Sequence, residues 1–183
     1  FIAAVLTLPV LFTEPWSIVP LPAIWLTFGV SILASFAFIG VTRGIRHLEI
    51  STSSSLFLLG PFVTVLLAYL ILGETLAGSQ LIGIALLAAG IYVLETRHFF
   101  RFNEFWKNVT GDRYSRYILF GLLLYGFSSI GDRIILGHYH VDAKFYTALV
   151  QLFLAFQFVL IAFYYRGGIR GPLASVRKEW KFL

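Results

Sequence analysis

The chain contains no cysteine. Disulfides, thiolate metal sites, iron–sulfur clusters and cysteine nucleophiles are thereby excluded. It contains no methionine either, and it opens inside an apolar run, Phe1-Ile2-Ala3-Ala4-Val5-Leu6. It reads as a fragment of a longer open reading frame. Residues Phe1 to Phe12 lack the basic n-region of a signal peptide and read instead as the end of a membrane helix. Charge is scarce: 13% of residues are charged, against about a quarter in an ordinary soluble domain. That density argues against a soluble domain, a disordered tail or a nucleic-acid-binding module, and no nucleic-acid partner is expected. Also missing are a Gly-rich phosphate loop ending in Gly-Lys-Ser/Thr, a His-Glu-x-x-His pair, a Gly-x-Ser-x-Gly elbow and any carboxylate cluster. No catalytic residue, no metal and no cofactor is expected, and no element of the chain would draw on ATP.

What the chain has in abundance is apolar sequence, with 58% hydrophobic and 17% aromatic residues in 183. The charged residues all fall outside five stretches: Pro15–Thr42, Ile50–Gly73, Thr75–Leu94, Tyr117–Gly131 and Phe145–Tyr165. A helix rises roughly 1.5 Å per residue, so about 20 residues cross the hydrocarbon core. Four stretches meet that length. Tyr117–Gly131 does so only if its helix continues past Asp132-Arg133 through Ile134-Ile135-Leu136. Five consecutive helices without a charged face leave nothing to meet water, and solid runs exclude the alternation of a β-barrel. The expected fold is all-α: a polytopic transmembrane helix bundle of about five complete helices and one partial one, bathed in the lipid bilayer.

The loops carry the basic residues, unequally. One side of the alternating topology holds Arg43, Arg46, Arg97, Arg101, Lys107, Arg113, Arg116, Arg166, Arg170, Arg177, Lys178 and Lys181, and the other only Arg133 and Lys144. The positive-inside rule places the richer side in the cytoplasm. The longest connection, His98–Ser115, interleaves Phe99, Phe100, Phe102, Phe105 and Trp106 with basic residues, which suits a segment at the headgroup interface.

Several residues within the spans invite a role. Pro61 lies near the middle of Ser51–Leu72, where it removes the hydrogen bond to the Phe57 carbonyl and predicts a kink, either lining a cavity or only packing. Ser51-Thr52-Ser53-Ser54-Ser55 opens that helix; Ser51 or Thr52 is expected to cap it. Small residues four apart, Gly40/Gly44, Ser31/Ser35 and Ala85/Ala89, with Gly83 and Gly90, predict close helix contacts. Glu74 reads as a boundary residue at a helix start more than as a coupling carboxylate. Asp132-Arg133 interrupts a span, either as a transport pair facing the interior or as an interfacial pair with Arg133 snorkelling beside Asp132. His138, His140 and Asp142 read as a polar loop, not a metal site. Gln151 and Gln157, inside the last span, each need a partner from another helix or a ligand. Asn108-Val109-Thr110 fits a glycosylation pattern that matters only in a secretory-pathway protein.

From Gly40 to Glu95 the chain resembles the second half of an EamA domain of the drug/metabolite transporter (DMT) superfamily. The resemblance rests on Arg46-His47-Leu48-Glu49, the Ser-rich Ser51–Ser55, Leu59-Gly60-Pro61, Leu70-Ile71-Leu72-Gly73-Glu74-Thr75-Leu76, and Gln80 to Gly90 with its paired glycines Gly83 and Gly90. It implies two five-helix repeats of inverted topology. Residues 1–95 would be the C-terminal part of the first, 96–115 an amphipathic connection, and 116–183 the N-terminal part of the second. It also implies an integral membrane protein, expected in the plasma membrane of a bacterium or archaeon. The implied activity is secondary-active transport, commonly export, of small metabolites or amphipathic compounds by alternating access. Polarity, aromaticity and depth select Phe57, Pro61 and Thr64 on the kinked helix, faced by Tyr125, Ser128 and Asp132, with Gln151, as substrate-cavity candidates. The rival readings are a membrane-embedded enzyme acting on lipids or isoprenoids and a non-transporting scaffold; association into a homodimer stays open.

The family's usual ten-helix topology would put His98–Ser115 outside the cell, whereas the charge count puts it inside. With no native cysteine, a single Asn108→Cys substitution reads the side directly. The charge count predicts protection from a membrane-impermeant thiol reagent in intact cells. Ready modification would place the loop outside.

Overall fold

The computed structural model describes residues 2–13, 19–73, 77–96 and 111–166. Among these are seven helices: α1 (Ile2–Thr13), α2 (Leu21–Ile45), α3 (Ile50–Phe57), α4 (Gly60–Leu72), α5 (Gly78–Thr96), α6 (Arg113–Gly137) and α7 (Ala143–Arg166). Three are long and apolar enough to cross a membrane: Leu21–Ile45, Arg113–Gly137 and Ala143–Tyr164. The second of these carries its helix through Asp132-Arg133, as the short apolar run requires. Segment His98–Thr110, with its aromatic and basic residues, and the Glu74-Thr75-Leu76 turn lie outside the described residues.

The stretch from Ile50 to Leu72 is two helices, not one bent one. Pro61 sits in the first turn of α4 and offers no N–H to the Phe57 carbonyl. The ladder therefore tightens, with Leu59 N–H donating to the Leu56 carbonyl at 3.0 Å, and resumes when Val63 N–H reaches Leu59 at 3.0 Å. The expected serine cap is also corrected. The helix begins at Ile50 with Glu49 as N-cap, which puts Ser51 and Thr52 inside it. Ser53 and Ser54 turn back on their own helix, donating to the Glu49 and Ile50 carbonyls at 3.1 and 2.8 Å. At the other end α4 stops on Gly73, whose φ of 64° is left-handed, a conformation glycine adopts at little cost.

α2 and α6 form the central antiparallel pair. Their contact is made by residues without bulk. A Cβ at Gly40 would stand 3.1 Å from the Tyr117 carbonyl oxygen, and one at Gly121 2.9 Å from the Ala37 carbonyl oxygen and 2.7 Å from a Val41 methyl. A Cβ at Gly44 would collide with Ile118, and one at Gly131 with Val30. The expectation of close packing at Gly40/Gly44 is met here. On α5 it is not: Ala85 and Ala89 are exposed, and a Cβ at Gly83 or Gly90 would meet nothing within 4 Å.

Other helices dock on this pair. α4 lies along α6, where a Cβ at Gly126 would press Leu67 at 2.7 Å and Val63 at 3.2 Å. α3 closes one end of the bundle through Leu56, Ile118 and Leu122. At the other end Leu11 of α1 joins Ala23, Ile135, Phe145 and Leu149 in a second core. α7 runs beside α2, with Phe28 edge-on to Phe153 (5.3 Å) and Phe38 edge-on to Phe158 (5.3 Å). His47, after α2, stacks on Tyr114 at the start of α6 (4.2 Å, 1° between planes). Arg43, Arg46, Arg113 and Arg116 thus share one end of the bundle, and Arg133 and Lys144 the other.

The buried amide on α7 has helical partners. Gln157 Oε1 accepts from Ser35 Oγ at 2.5 Å, and its Nε2 donates to Ser31 Oγ at 2.8 Å. The Ser31 hydroxyl in turn donates to the Phe28 carbonyl at 2.7 Å. One amide therefore clasps α7 to α2, and the Ser31/Ser35 pair supplies both of its partners.

Two stability outcomes follow. Gly121→Ala is expected to cost about 1–3 kcal/mol, because a backbone carbonyl blocks the new methyl and the helices must part, whereas Gly83→Ala leaves the unfolding midpoint in detergent unchanged. Gln157→Leu is expected to cost about 1 kcal/mol, with much of the loss absent when Ser35→Ala already removes its partner. Additive losses in that double-mutant cycle would mean that the Ser35 bond contributes nothing.

Candidate functional site

α6 and α7 are joined by a short turn, which is built by local chemistry. Asp142 Oδ1 accepts from the amides of Lys144 (2.8 Å) and Phe145 (3.2 Å), capping α7. His140 takes a left-handed conformation, φ 51°, to reverse the chain. Asp142 is therefore engaged in a cap. Among the described residues no group of three or more His, Asp or Glu could hold a metal. Asp112 does the same for α6, accepting from Tyr114 N–H (3.1 Å) and Ser115 N–H (2.9 Å).

In an antiparallel helical hairpin, residues equidistant from the turn stand at the same level along the bundle. About Tyr139, Asp132 stands level with Tyr146 and Ser128 with Val150. The Tyr146 hydroxyl donates to Asp132 Oδ1. This bond opens onto a cleft of about 260 Å³ between α6 and α7, floored by Val30 and Ala34 of α2. Tyr125, Ser128, Asp132 and Gln151 all line it. Four of the seven candidates thus meet at one place. Asp132 is half-buried in a segment that crosses the membrane, where a carboxylate is costly and usually marks a pathway or a coupling. The phenol supplies one compensating hydrogen bond, and the cleft leaves room for a ligand group to supply more.

The other three candidates lie elsewhere. Phe57 packs against the Leu56–Ile118–Leu122 core. Thr64 donates to the Gly60 carbonyl at 3.1 Å and packs where α4 meets Gly126 of α6. Pro61 lines a second cleft of about 710 Å³, between α4, α5 and α6, together with Arg133. Consecutive residues on a helix point roughly 100° apart. Asp132 accordingly faces α7 while Arg133 faces α4 and α5, and each lines its own cleft.

Tyr146 is the residue that sequence reasoning missed. Its signal was present in the hairpin arithmetic: once the turn is centred on Tyr139, a tyrosine stands opposite the intramembrane aspartate. Counting spans without aligning them across the turn does not find it. Gln157, one of two amides awaiting a partner, is taken up by α2, which leaves Gln151 as the amide on the cleft.

A family model described as the EamA-like transporter family matches residues 1–96, just over half of the chain. No curated protein and no solved structure matches it. The match covers the helices from α1 through α5, including the broken α3–α4 pair, the Gly73 stop and the glycines of α5. With the all-helical architecture of the described residues and three helices long and apolar enough to cross a membrane, this places the protein: the chain belongs to the EamA-like transporter family, integral membrane transporters of the DMT superfamily.

Proposed function

We propose that the protein is a secondary-active carrier that exports small metabolites or amphipathic compounds by alternating access, and that the Asp132 cleft is part of its substrate path. Residues 1–95 and 116–183 would belong to two repeats of inverted topology joined by 96–115, rocking about a site near the bilayer midplane. The observation that carries this reading is the convergence of Tyr125, Ser128, Asp132 and Gln151 on one cleft between membrane-crossing helices.

The chemistry of the cleft suits a small ligand with both donors and acceptors. Asp132 offers acceptor oxygens, Gln151 both donor and acceptor, and Ser128 and Tyr125 hydroxyls that serve as either. Val30 and Ala34 supply an apolar floor. The Tyr146–Asp132 bond is the contact a substrate cation or donor would replace. Exchange of one partner for another keeps the carboxylate satisfied throughout, so binding need not strand a charge in the membrane.

Counterflow in proteoliposomes, screened over amino acids, sugars and aromatic amphiphiles, identifies a transported compound. With that compound, Asp132→Asn is expected to lower flux by about tenfold or more, the scale of losing one charge-assisted contact. Tyr146→Phe should give a smaller loss. Both should unfold within a few degrees of the parent. Unchanged flux in Asp132→Asn would remove the cleft from the path. A product formed without flux would favour the membrane-enzyme reading.

A further inference from the structure

The Asp132 cleft carries charge of one sign. Among the described residues no lysine, arginine or histidine lines it. Arg133, next in the chain, lines the other cleft. The hydrogen bond to the Asp132 carboxylate comes from a phenol and not from a cation. The connections on this side of the topology agree in sign. Glu14 stands between α1 and α2 and Glu74 between α4 and α5, and neither connection holds a lysine, arginine or histidine. Whatever those connections bring toward the cleft, it is not positive charge.

Its polar atoms near the turn are mostly acceptors. The Tyr146 hydroxyl already donates to Asp132, and the Thr147 hydroxyl to the Ala143 carbonyl at 2.7 Å. What those two oxygens offer a ligand is lone pairs. With the carboxylate they form a cluster of acceptors at the turn end of the cleft. Deeper in the bundle Ala34 and Val150 make the walls apolar, and Tyr125 closes the far end. From Asp132 back to Tyr125 is about 10 Å at helical rise. At about 260 Å³ the cleft falls below the roughly 300–1,000 Å³ usual for ligand pockets, so its ligand is small. The complement of such a site is a compact body with several N–H donors and a positive charge at one end.

We propose that the Asp132 cleft selects a small primary amine, held as its ammonium ion on Asp132 and Thr147, with its apolar body along Ala34 and Val150 toward Tyr125. The inference rests on the reading of this cleft as the substrate site and names the class of substrate. An ammonium carries three donors into a set of acceptors and one positive charge to an unpaired carboxylate. An amino acid would bring a second carboxylate beside Asp132, with no cation in the cleft to receive it. A quaternary ammonium ion has the charge and no N–H, which leaves the acceptors unpaired.

The test is equilibrium binding of tritiated phenethylamine to the full chain in nanodiscs of neutral phosphatidylcholine, with empty nanodiscs subtracted. The competitors keep the ring and change only the head: phenylalanine, 3-phenylpropionate and phenethyltrimethylammonium. Unlabelled phenethylamine should displace the label. Phenylalanine and phenethyltrimethylammonium should need at least about tenfold more, and 3-phenylpropionate should leave the label in place. Asp132→Asn should weaken binding by about tenfold or more. Ala34→Phe, which fills the cleft with the carboxylate intact, should do the same and carries the test if Asp132→Asn unfolds. Gly83→Ala, on α5, should bind as the parent does. Absence of saturable amine binding would overturn the proposal, as would binding indifferent to both cleft variants, or equal competition by phenylalanine or the quaternary ion. Asp132-dependent counterflow of an amino acid or a sugar would overturn it and leave the carrier reading standing. Asp132-dependent amine binding without counterflow of any compound would support it and remove the carrier reading, so the two fail separately.

Discussion

The close approach of α2 and α6 is the constraint on which the remaining structure depends. Between helices in lipid there is no hydrophobic driving force, because acyl chains are as apolar as leucine. Contact must come from backbones close enough for dense van der Waals packing. Gly40, Gly44, Gly121 and Gly131 make that approach possible, and at Gly40 and Gly121 the neighbouring group is a backbone carbonyl that no side-chain rotation can clear. Gly126 repeats the device toward α4. α6 therefore stands between α2 and α4 as a slender central element, with α3 at one end. Because neighbours crowd it on several sides, successive residues on it face different surroundings. That is how Asp132 and Arg133, adjacent in the chain, come to line separate clefts.

Polar groups within the spans sort by how they are satisfied. Thr27, Thr64 and Thr147 return their hydroxyls to the carbonyl four residues back, at 2.7, 3.1 and 2.7 Å. Gln157 is held by Ser31 and Ser35. Among the described residues no buried side-chain nitrogen or oxygen lacks a partner. Against that background Asp132 is distinctive: an ionisable group, half-buried, bonded to a phenol and open to a cleft. Its environment is neither lipid nor closed protein, and the proposed carrier uses that intermediate state. A group satisfied by one exchangeable bond can accept a ligand in its place.

Much of the fold was legible because bilayer depth and charge speak at the level of whole segments. The uncharged stretches around Val30, Leu122 and Leu152 became the three long helices, and Gly40/Gly44 marked the central contact. What was hidden depended on pairing across space. The break after Phe57 replaced a simple kink because Pro61 sits in the first turn of a new helix, where proline is tolerated. The serine run looked like a cap, but the helix begins one residue earlier, at Ile50. The small residues of α5 have the same spacing as those of α2, yet they are exposed, since spacing shows what can pack and not what it packs against. Asp132 could be chosen as a candidate from its depth. Its partner Tyr146, and its separation from Arg133, required the hairpin register and the helical phase.

The central claim is that the Asp132 cleft opens to each side of the membrane in turn. Ser129 also lines that cleft, and the chain has no native cysteine, so a single Ser129→Cys reports its exposure cleanly. The measurement is the rate of modification by a small charged thiol reagent, applied to oriented vesicles from the outside or trapped within. The account predicts reaction from both sides, with a transported compound slowing both rates. Reaction from one side only, or from neither, would contradict alternating access at this cleft.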